Sequence, residues 1–454
     1  MLDTKKTALP GFLLSGLMFG LTLSSGAIGV SDPRGSTLSP RPERVEGRTS
    51  GRLQGHTADP SIRFRQLIDQ MGAKRQVVKP PSGLLKYEYL VPSGPYYQLF
   101  DWDAYFMGVA LSYDHQARYL ASSVRNFLEY AGPPTSGSNG YTPRIIAPEG
   151  FWSLPEMTKP FLAQMSLAAS QSMRNYWWLR GDNYARLEKT LFFWENARRT
   201  PDGLFVWFNG DESGVDNNPA VSWEPAQISE SVDLVCYLVR EYRAMALIAR
   251  ALEKPADETK YRAKADALAR LLNEKMWSEA DAMYFNIDRR TGRMVKIRTW
   301  TNFVPLWAEL APPDRAKAAI ERHLLEPNEF WGARGLRTLA ANEPLYNPKS
   351  GYWRGPTWVI SSYLMSHGLV KYGYQDRALE EALRVTRLLV DDIEVTGGMN
   401  ENYNPDTGEP AANTNFLSWN LLAEHWIDEI RAKRDPIAIA APAGRQQAGQ
   451  GWYR

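Results

Sequence analysis

Apolar residues recur every three or four positions along most of the chain from about Ile62 onward, the signature of helices with one buried face. Residues 103–131 carry Phe106, Val109, Ala110 and Tyr113, then Leu120, Val124 and Phe127, at that spacing. The same period predicts helix at 158–180, 183–199, 225–252, 258–276, 313–325, 356–373, 375–391 and 414–430. In 375–391, Leu379, Ala382, Leu383, Thr386 and Leu389 form one stripe. Pro356 stands where a helix can begin, because its missing N–H costs nothing in a first turn. Strand signals are few: Tyr284 to Ile287, followed by the turn Asp288-Arg289-Arg290-Thr291-Gly292, reads as one short hairpin. About ten to twelve helices without a domain-splitting linker predict a single large all-α toroid. The helices alternate with long loops rich in Gly, Pro, Asn and Trp, which marks those loops as candidate binding segments.

The ends of the chain have a different character. Lys5 and Lys6 precede an apolar run from Gly11 to Leu23 and the small residues Ser25-Gly26-Ala27, so residues 1–30 are expected to be a secretory signal peptide or an N-terminal anchor. Export is the favoured location, with a cytoplasmic protein as the alternative. Residues 31–58 are Ser-, Pro-, Gly- and Arg-rich and cannot bury a core, so a disordered linker is expected there. That leaves 59–435 for the folded domain and 436–454 for a C-terminal tail.

Composition removes several classes of function. A net charge of +2 over 454 residues implies no general attraction to nucleic acid. Cys236 is the sole cysteine and the five histidines show no ligand spacing, so neither a disulfide framework nor a transition-metal site is expected. No GxGxxG or GxxxxGK follows a strand, and no cofactor is called for. The unusual quantity is the aromatic content, 16 Trp and 22 Tyr. Flat rings beside hydrogen-bond donors suit the C–H faces and hydroxyl girdle of a sugar, although a large core would also absorb most of them.

Four loops combine such rings with acids or polar groups. Leu99–Phe106 (LFDWDAYF) places two acids around Trp102, either of which could instead cap the following helix. Lys159–Gln164 (KPFLAQ) sets a cation and an amide at another helix start. Asp211–Pro219 (DESGVDNNP) carries three acids, and Gly397–Gly408 (GGMNENYNPDTG) a carboxylate beside Tyr403. Between the last two lies Gly351–Gly373, which opens with Tyr352, Trp353, Arg354 and Trp358. Carboxylates on separate loops among aromatic rings match what glycosidic cleavage requires, one acid to protonate the leaving oxygen and one carboxylate to activate water or attack.

The motifs FDWDAYF, KPFLAQ, ESGVDNNP, FVPLW, YWRGPTW and ENYNPDTG, in this order over about residues 85–427, resemble glycoside hydrolase family 63 and the related trehalases, and within them the short bacterial mannosylglycerate and glucosylglycerate hydrolases. The resemblance implies an (α/α)6 barrel and an inverting hydrolase of small α-glycosides, with Asp216 as general acid and Glu401 as general base. It implies that Asp103 grips sugar hydroxyls, that Tyr96, Trp102, Tyr352, Trp353 and Trp358 are pocket aromatics, and that Gln164 lies near the aglycone. Val215 stands where the trehalase motif has tryptophan, a departure expected to alter the sugar pocket. Tyr141, Lys159 and Arg354 complete the candidate substrate contacts; Lys159, Arg144 and Arg354 are the cations available for an acidic aglycone such as glycerate, and Arg354 equally suits a structural ion pair. Asp216 must hold its proton, through burial or a neighbouring charge such as Glu212 or Glu401. The alternatives are a trehalase or α-glucosidase, a sugar epimerase on the same barrel, and a non-catalytic carbohydrate-binding protein. The epimerase is disfavoured because no histidine lies in the four motifs, and the binding protein because both carboxylates are present.

Overall fold

Two kinds of helix alternate along the chain, distinguished by how many of their faces are buried. The computed structural model describes residues 59–132, 137, 139–224 and 226–439. The expected signal or anchor, the linker and residues 440–454 lie outside the described residues. The principal helices are α1 (Pro60–Met71), α2 (Asp101–Ser112), α3 (Arg118–Ala131), α4 (Leu162–Met173), α5 (Asp182–Ala197), α6 (Val232–Ala251), α7 (Pro255–Lys275), α8 (Val304–Trp307), α9 (Pro313–Ala319), α10 (Val359–Lys371), α11 (Gln375–Thr396) and α12 (Ala423–Arg431).

Even-numbered helices are buried nearly all round, as α2 is from Asp101 to Leu111 and α10 from Val359 to Leu369. A helix without a polar face must be surrounded by protein. Odd-numbered helices bury one stripe; α7 buries only Tyr261, Ala265, Leu268 and Leu272, and full burial of a large apolar side chain contributes about 1.5–3 kcal/mol. The inner helices touch in the order α2, α4, α6, α8, α10, and both α10 and α2 meet the 3₁₀ turn Ser418–Leu422 that leads into α12, so the ring closes. Six inner and six outer helices among the described residues make an (α/α)6 barrel. Its ring is tight where α2 meets α3: a Cβ at Gly108 would stand 2.6 Å from Leu120 Cδ1.

Local differences from the periodicity have physical causes. The 103–131 stretch divides at Tyr113–Ala117, where His115 takes φ +59°. α10 starts at Val359 rather than Pro356, because Thr357 is held extended by a two-way backbone bridge to Tyr403. α6 starts at Val232, since Ser229–Glu230 is used as a strand. The expected hairpin forms with its register moved along: Asn286–Asp288 pairs with Arg293–Val295, while Tyr284 pairs with Trp277. Past the expected boundary at 435, Ile437 and Ile439 are buried and Arg240 donates to the Ile437 carbonyl.

Small sheets form the loop side of the barrel. β1 (Leu99–Phe100), β2 (Pro143–Ala147) and β3 (Gly150–Met157) make one antiparallel sheet in that order, and β4 (Asn400–Tyr403) pairs with β5 (Pro410–Thr414). Gly108→Ala is expected to lower stability by about 1–3 kcal/mol through overpacking against Leu120. A fall in thermal midpoint checks this; an unchanged melt would show that the two helices can part freely.

Candidate active site

The long loops converge on one open pocket of about 100 Å³, lined by Pro92, Tyr96, Phe100, Trp102, Asp103, Arg144, Gly214, Asp216, Tyr352, Trp353, Trp358, Glu401, Phe416 and Trp419. Three carboxylates therefore share one cavity, each from a different element: Asp103 from the first turn of α2, Asp216 from the turn after the short helix Gly210–Ser213, and Glu401 from β4.

Their surroundings differ. Glu401 is buried but well supplied with donors: Asn413 Nδ2 on β5 at 2.5 Å, Tyr352 Oη at 3.2 Å and Tyr96 Oη at 3.5 Å. Burial pushes its pKa above the ordinary 4.5, and those three hydrogen bonds oppose the rise. Burial, followed by the Glu401 charge, also raises both phenols, which keeps them protonated as donors. Asp216 has the opposite endowment. Its Oδ1 has no hydrogen-bond partner, and the nearest cation, Arg144 Nη2, stands 3.7 Å away. Burial dominates and lifts its pKa to about 7; Arg144 opposes the shift, while Asp211 and Glu401 add to it. Glu212, the other candidate for a repelling neighbour, is instead locked in an ion pair with Arg198 at 2.8 Å and accepts from the Met157 and Phe208 amides. Asp103 is also raised to about 7, chiefly by burial, and accepts a 2.7 Å hydrogen bond from Ser418.

Aromatic rings form a continuous wall. Trp353 and Trp358 stack at 3.7 Å with planes 6° apart, Tyr352 meets Trp358 edge-on, and Trp102 and Trp419 extend the cluster, which Phe416 continues to Tyr96. Tyr352 adopts φ +60°, an uncommon state for a bulky residue. It is held there by Trp358 Nε1 donating to its carbonyl at 3.0 Å. Asn217, next to Asp216, fastens this wall to the acid loop by accepting from the Trp353 amide at 3.0 Å and donating to the Gly351 carbonyl at 2.9 Å. The Thr357–Tyr403 bridge fastens it to the Glu401 strand.

Of the residues expected to contact substrate, Tyr96, Trp102, Asp103, Tyr352, Trp353 and Trp358 line the cavity with Asp216 and Glu401; four do not. Tyr141 donates to the Glu156 carbonyl at 2.8 Å and packs on Phe193. Lys159 is buried behind Trp102, paired with Asp101 at 3.1 Å and 4.9 Å from the Trp102 ring centroid. Gly214 is needed at that contact: at φ +77°, a Cβ would lie 2.8 Å from Lys159 Cε and 2.9 Å from Trp102 Cζ2. Gln164 is consumed by the core, donating to the Pro160 and Tyr237 carbonyls and accepting from Arg240. Arg354 is not among the lining residues either, and its Nε has no hydrogen-bond partner. Val215 is buried and does not line the pocket, so the departure at this position is absorbed by the core. Arg144 is the lining cation. Sequence reasoning misses Phe416 and Trp419 as lining residues because they fall in a stretch that reads as helix; their closeness to the Glu401 loop is the signal that could have found them.

The chain belongs to the mannosylglycerate hydrolase-like glycoside hydrolases of family 63. The family model described as mannosylglycerate hydrolase MGH1-like glycoside hydrolase domain matches residues 96–419, a span holding every lining residue but Pro92. Relatives include a mannosylglycerate hydrolase of Rubrobacter radiotolerans, 29% identical over 40% of this chain and 40% of its own length, and a periplasmic trehalase of Salmonella newport, 23% identical over 65% of this chain and 59% of its own. The chain thus spans about two fifths to three fifths of these relatives' lengths. Among solved structures, the family 63 mannosylglycerate hydrolase of Thermus thermophilus in complex with glucose superposes with a TM-score of 0.62 at 19% identity, over 81% of this chain and 99% of that one. The neutral trehalase of Saccharomyces cerevisiae gives 0.59 at 16% identity, over 78% and 77%.

Removing the opposing cation tests the electrostatics. In Arg144→Met the Asp216 carboxyl loses the charge that favours its ionised form, so its pKa is expected to rise above about 7. Carboxyl ¹³C NMR of labelled protein reads this directly, and a fall would show that Arg144 does not act on Asp216.

Proposed function

We propose that the protein is an inverting O-glycosidase acting on a small α-glycoside, with glucosylglycerate or mannosylglycerate favoured. The observation that carries this reading is the asymmetry of Asp216 and Glu401 within one aromatic-walled cavity. Asp216, with an unpartnered oxygen and a pKa near 7, is suited to hold a proton and give it to the glycosidic oxygen. Glu401, under three donors, is suited to stay ionised and take a proton from water. The C–O bond to the aglycone breaks as the proton from Asp216 reaches the leaving oxygen. The water oxygen bonds the anomeric carbon as Glu401 accepts its proton, and inversion follows from attack on the opposite face.

Asp103 accepts from sugar hydroxyls in this scheme. Arg144 is the cation for an anionic aglycone, since it lines the cavity and Lys159 and Arg354 do not. We place the enzyme outside the cytoplasm on the strength of Lys5, Lys6 and the Gly11–Leu23 run.

The scheme fixes the sign of the pH dependence. Activity falls with acid as Glu401, raised above 4.5, takes up a proton, and falls again with alkali as Asp216 loses its own near pH 7. A bell with its alkaline limb near 7 is expected in kcat/KM. Asp216→Asn and Glu401→Gln are each expected to lose roughly 10²–10⁴-fold in kcat while still binding substrate. Product analysis by NMR on glucosylglycerate, mannosylglycerate, trehalose, kojibiose and nigerose reads substrate and anomer together. Near-wild-type rates in either variant, or a product of retained configuration, would overturn the assignment.

A further inference from the structure

We propose that Trp152 and Tyr97 form an outer subsite that stacks a sugar ring of a longer, saccharide aglycone. This rests on the glycosidase reading and extends it from a short aglycone to an oligosaccharide chain.

Strand register sets three residues in line. Phe100 on β1 stands opposite Ile145 on β2, which stands opposite Trp152 on β3. Directly opposed residues project from the same face of a sheet, so Phe100, Ile145 and Trp152 form one cross-strand row. Phe100 lines the cavity, and Trp152 lies two strand spacings further out, roughly 10 Å away. The row therefore runs from the pocket wall to the sheet edge. Arg144, beside Ile145 on β2, is itself a lining residue.

At the outer end the rings are exposed and held. Trp152 is 46% exposed and Tyr97 44%, yet they meet edge-to-face at 6.2 Å with planes 89° apart. Tyr97 is pinned from its far end by a 2.5 Å hydrogen bond to Glu149. It also follows Tyr96, the residue whose hydroxyl reaches Glu401. The other face of the same sheet also carries a part-exposed ring, Phe151 at 39%, but that ring is held against the barrel. There Phe151, opposite Ile146, packs against Tyr130 with ring centroids 4.8 Å apart. No comparable ring contact from the barrel covers Trp152 among the described residues.

Two large rings fixed side by side in water, in line with the aromatic-walled cavity, call for a ligand with a flat apolar face and a polar rim. A pyranose has both. Because the row starts at the cavity that holds the non-reducing sugar in the proposed mechanism, the ring stacked on Trp152 belongs to the leaving side of the same chain. A free glycerate is too short to reach it.

The test compares each disaccharide, kojibiose and nigerose, with its trisaccharide, and uses glucosylglycerate as the short reference. Wild-type enzyme is expected to show a kcat/KM several-fold higher for a trisaccharide than for its disaccharide. Trp152→Ala is expected to raise KM for the trisaccharide about tenfold more than for glucosylglycerate; Tyr97→Ala should act in the same direction. Tryptophan fluorescence titration of the trisaccharide into Asp216→Asn, with and without Trp152→Ala, reads the subsite without turnover. Equal effects on long and short substrates, a wild type indifferent to chain length, or trisaccharide binding untouched by Trp152→Ala would overturn the outer subsite. None of these bears on the glycosidase reading, which fails separately if Asp216→Asn and Glu401→Gln keep their activity.

Discussion

Bringing three carboxylates together in one cavity, two of them buried and Asp216 half-buried, is the constraint that the rest of the structure answers. Desolvation is the largest influence on Asp103, Asp216 and Glu401 alike, and it pushes all three toward the protonated form. What separates them is the donors each receives. Glu401 is given three side-chain hydrogen bonds, Asp103 one from Ser418, and Asp216 a cation at 3.7 Å. The charges placed behind the pocket are neutralised in pairs, Asp101 by Lys159 and Glu212 by Arg198. An unpaired charge there would cost several kcal/mol and would tilt every titration in the cavity.

Such discrimination needs side chains that do not wander, yet every one of these groups comes from a loop or an element end. The barrel supplies rigid ends, and a few polar clamps join the loops to each other. Asn217 ties the turn of Asp216 to the Tyr352–Trp353 segment, and Thr357 ties that segment to the strand of Glu401. The Asp216 loop, the aromatic wall and the Glu401 strand are thereby one unit, which is how side chains from separate loops are held in fixed relation. The left-handed Tyr352 backbone belongs to this unit, since its conformation aims the phenol at Glu401.

The barrel is legible in the sequence because the outer helices carry a three-to-four stripe and the inner ones read as apolar segments nearly all round, and closure follows from twelve such helices among the described residues. Helix starts are less so: Pro356 is a good first-turn residue by local preference, but the Thr357–Tyr403 bridge, between residues far apart in sequence, overrides it. The β2–β3 hairpin is hidden because Pro143–Ala147 is short and buried throughout, leaving no alternation to read. The carboxylates and most pocket rings come to light through motifs. Motifs cannot tell a residue facing the cavity from one standing behind it, however, and Lys159 shows why. A cation beside pocket aromatics in sequence reads as a ligand contact, and only the fold reveals that Asp101 has taken its charge and Trp102 covers it.

The placement of Arg144 completes the electrostatic logic. With Asp103, Asp216 and Glu401 all ionised, the cavity would carry three negative charges against one lining cation. Two carboxyls with pKa values near 7 prevent this, so around neutrality the site retains a proton that the acids titrate jointly. Ser418 donates to Asp103 and none of its described neighbours donates to Asp216 Oδ1, so the geometry favours the proton on Asp216, the group with an oxygen free to deliver it. An anionic aglycone seated against Arg144 would draw that guanidinium away from Asp216 electrostatically and strengthen its hold on the proton. In the proposed mechanism substrate binding thus primes its own acid, and a neutral saccharide aglycone, which leaves Arg144 uncompensated, must gain its grip elsewhere, as stacking on Trp152 would provide.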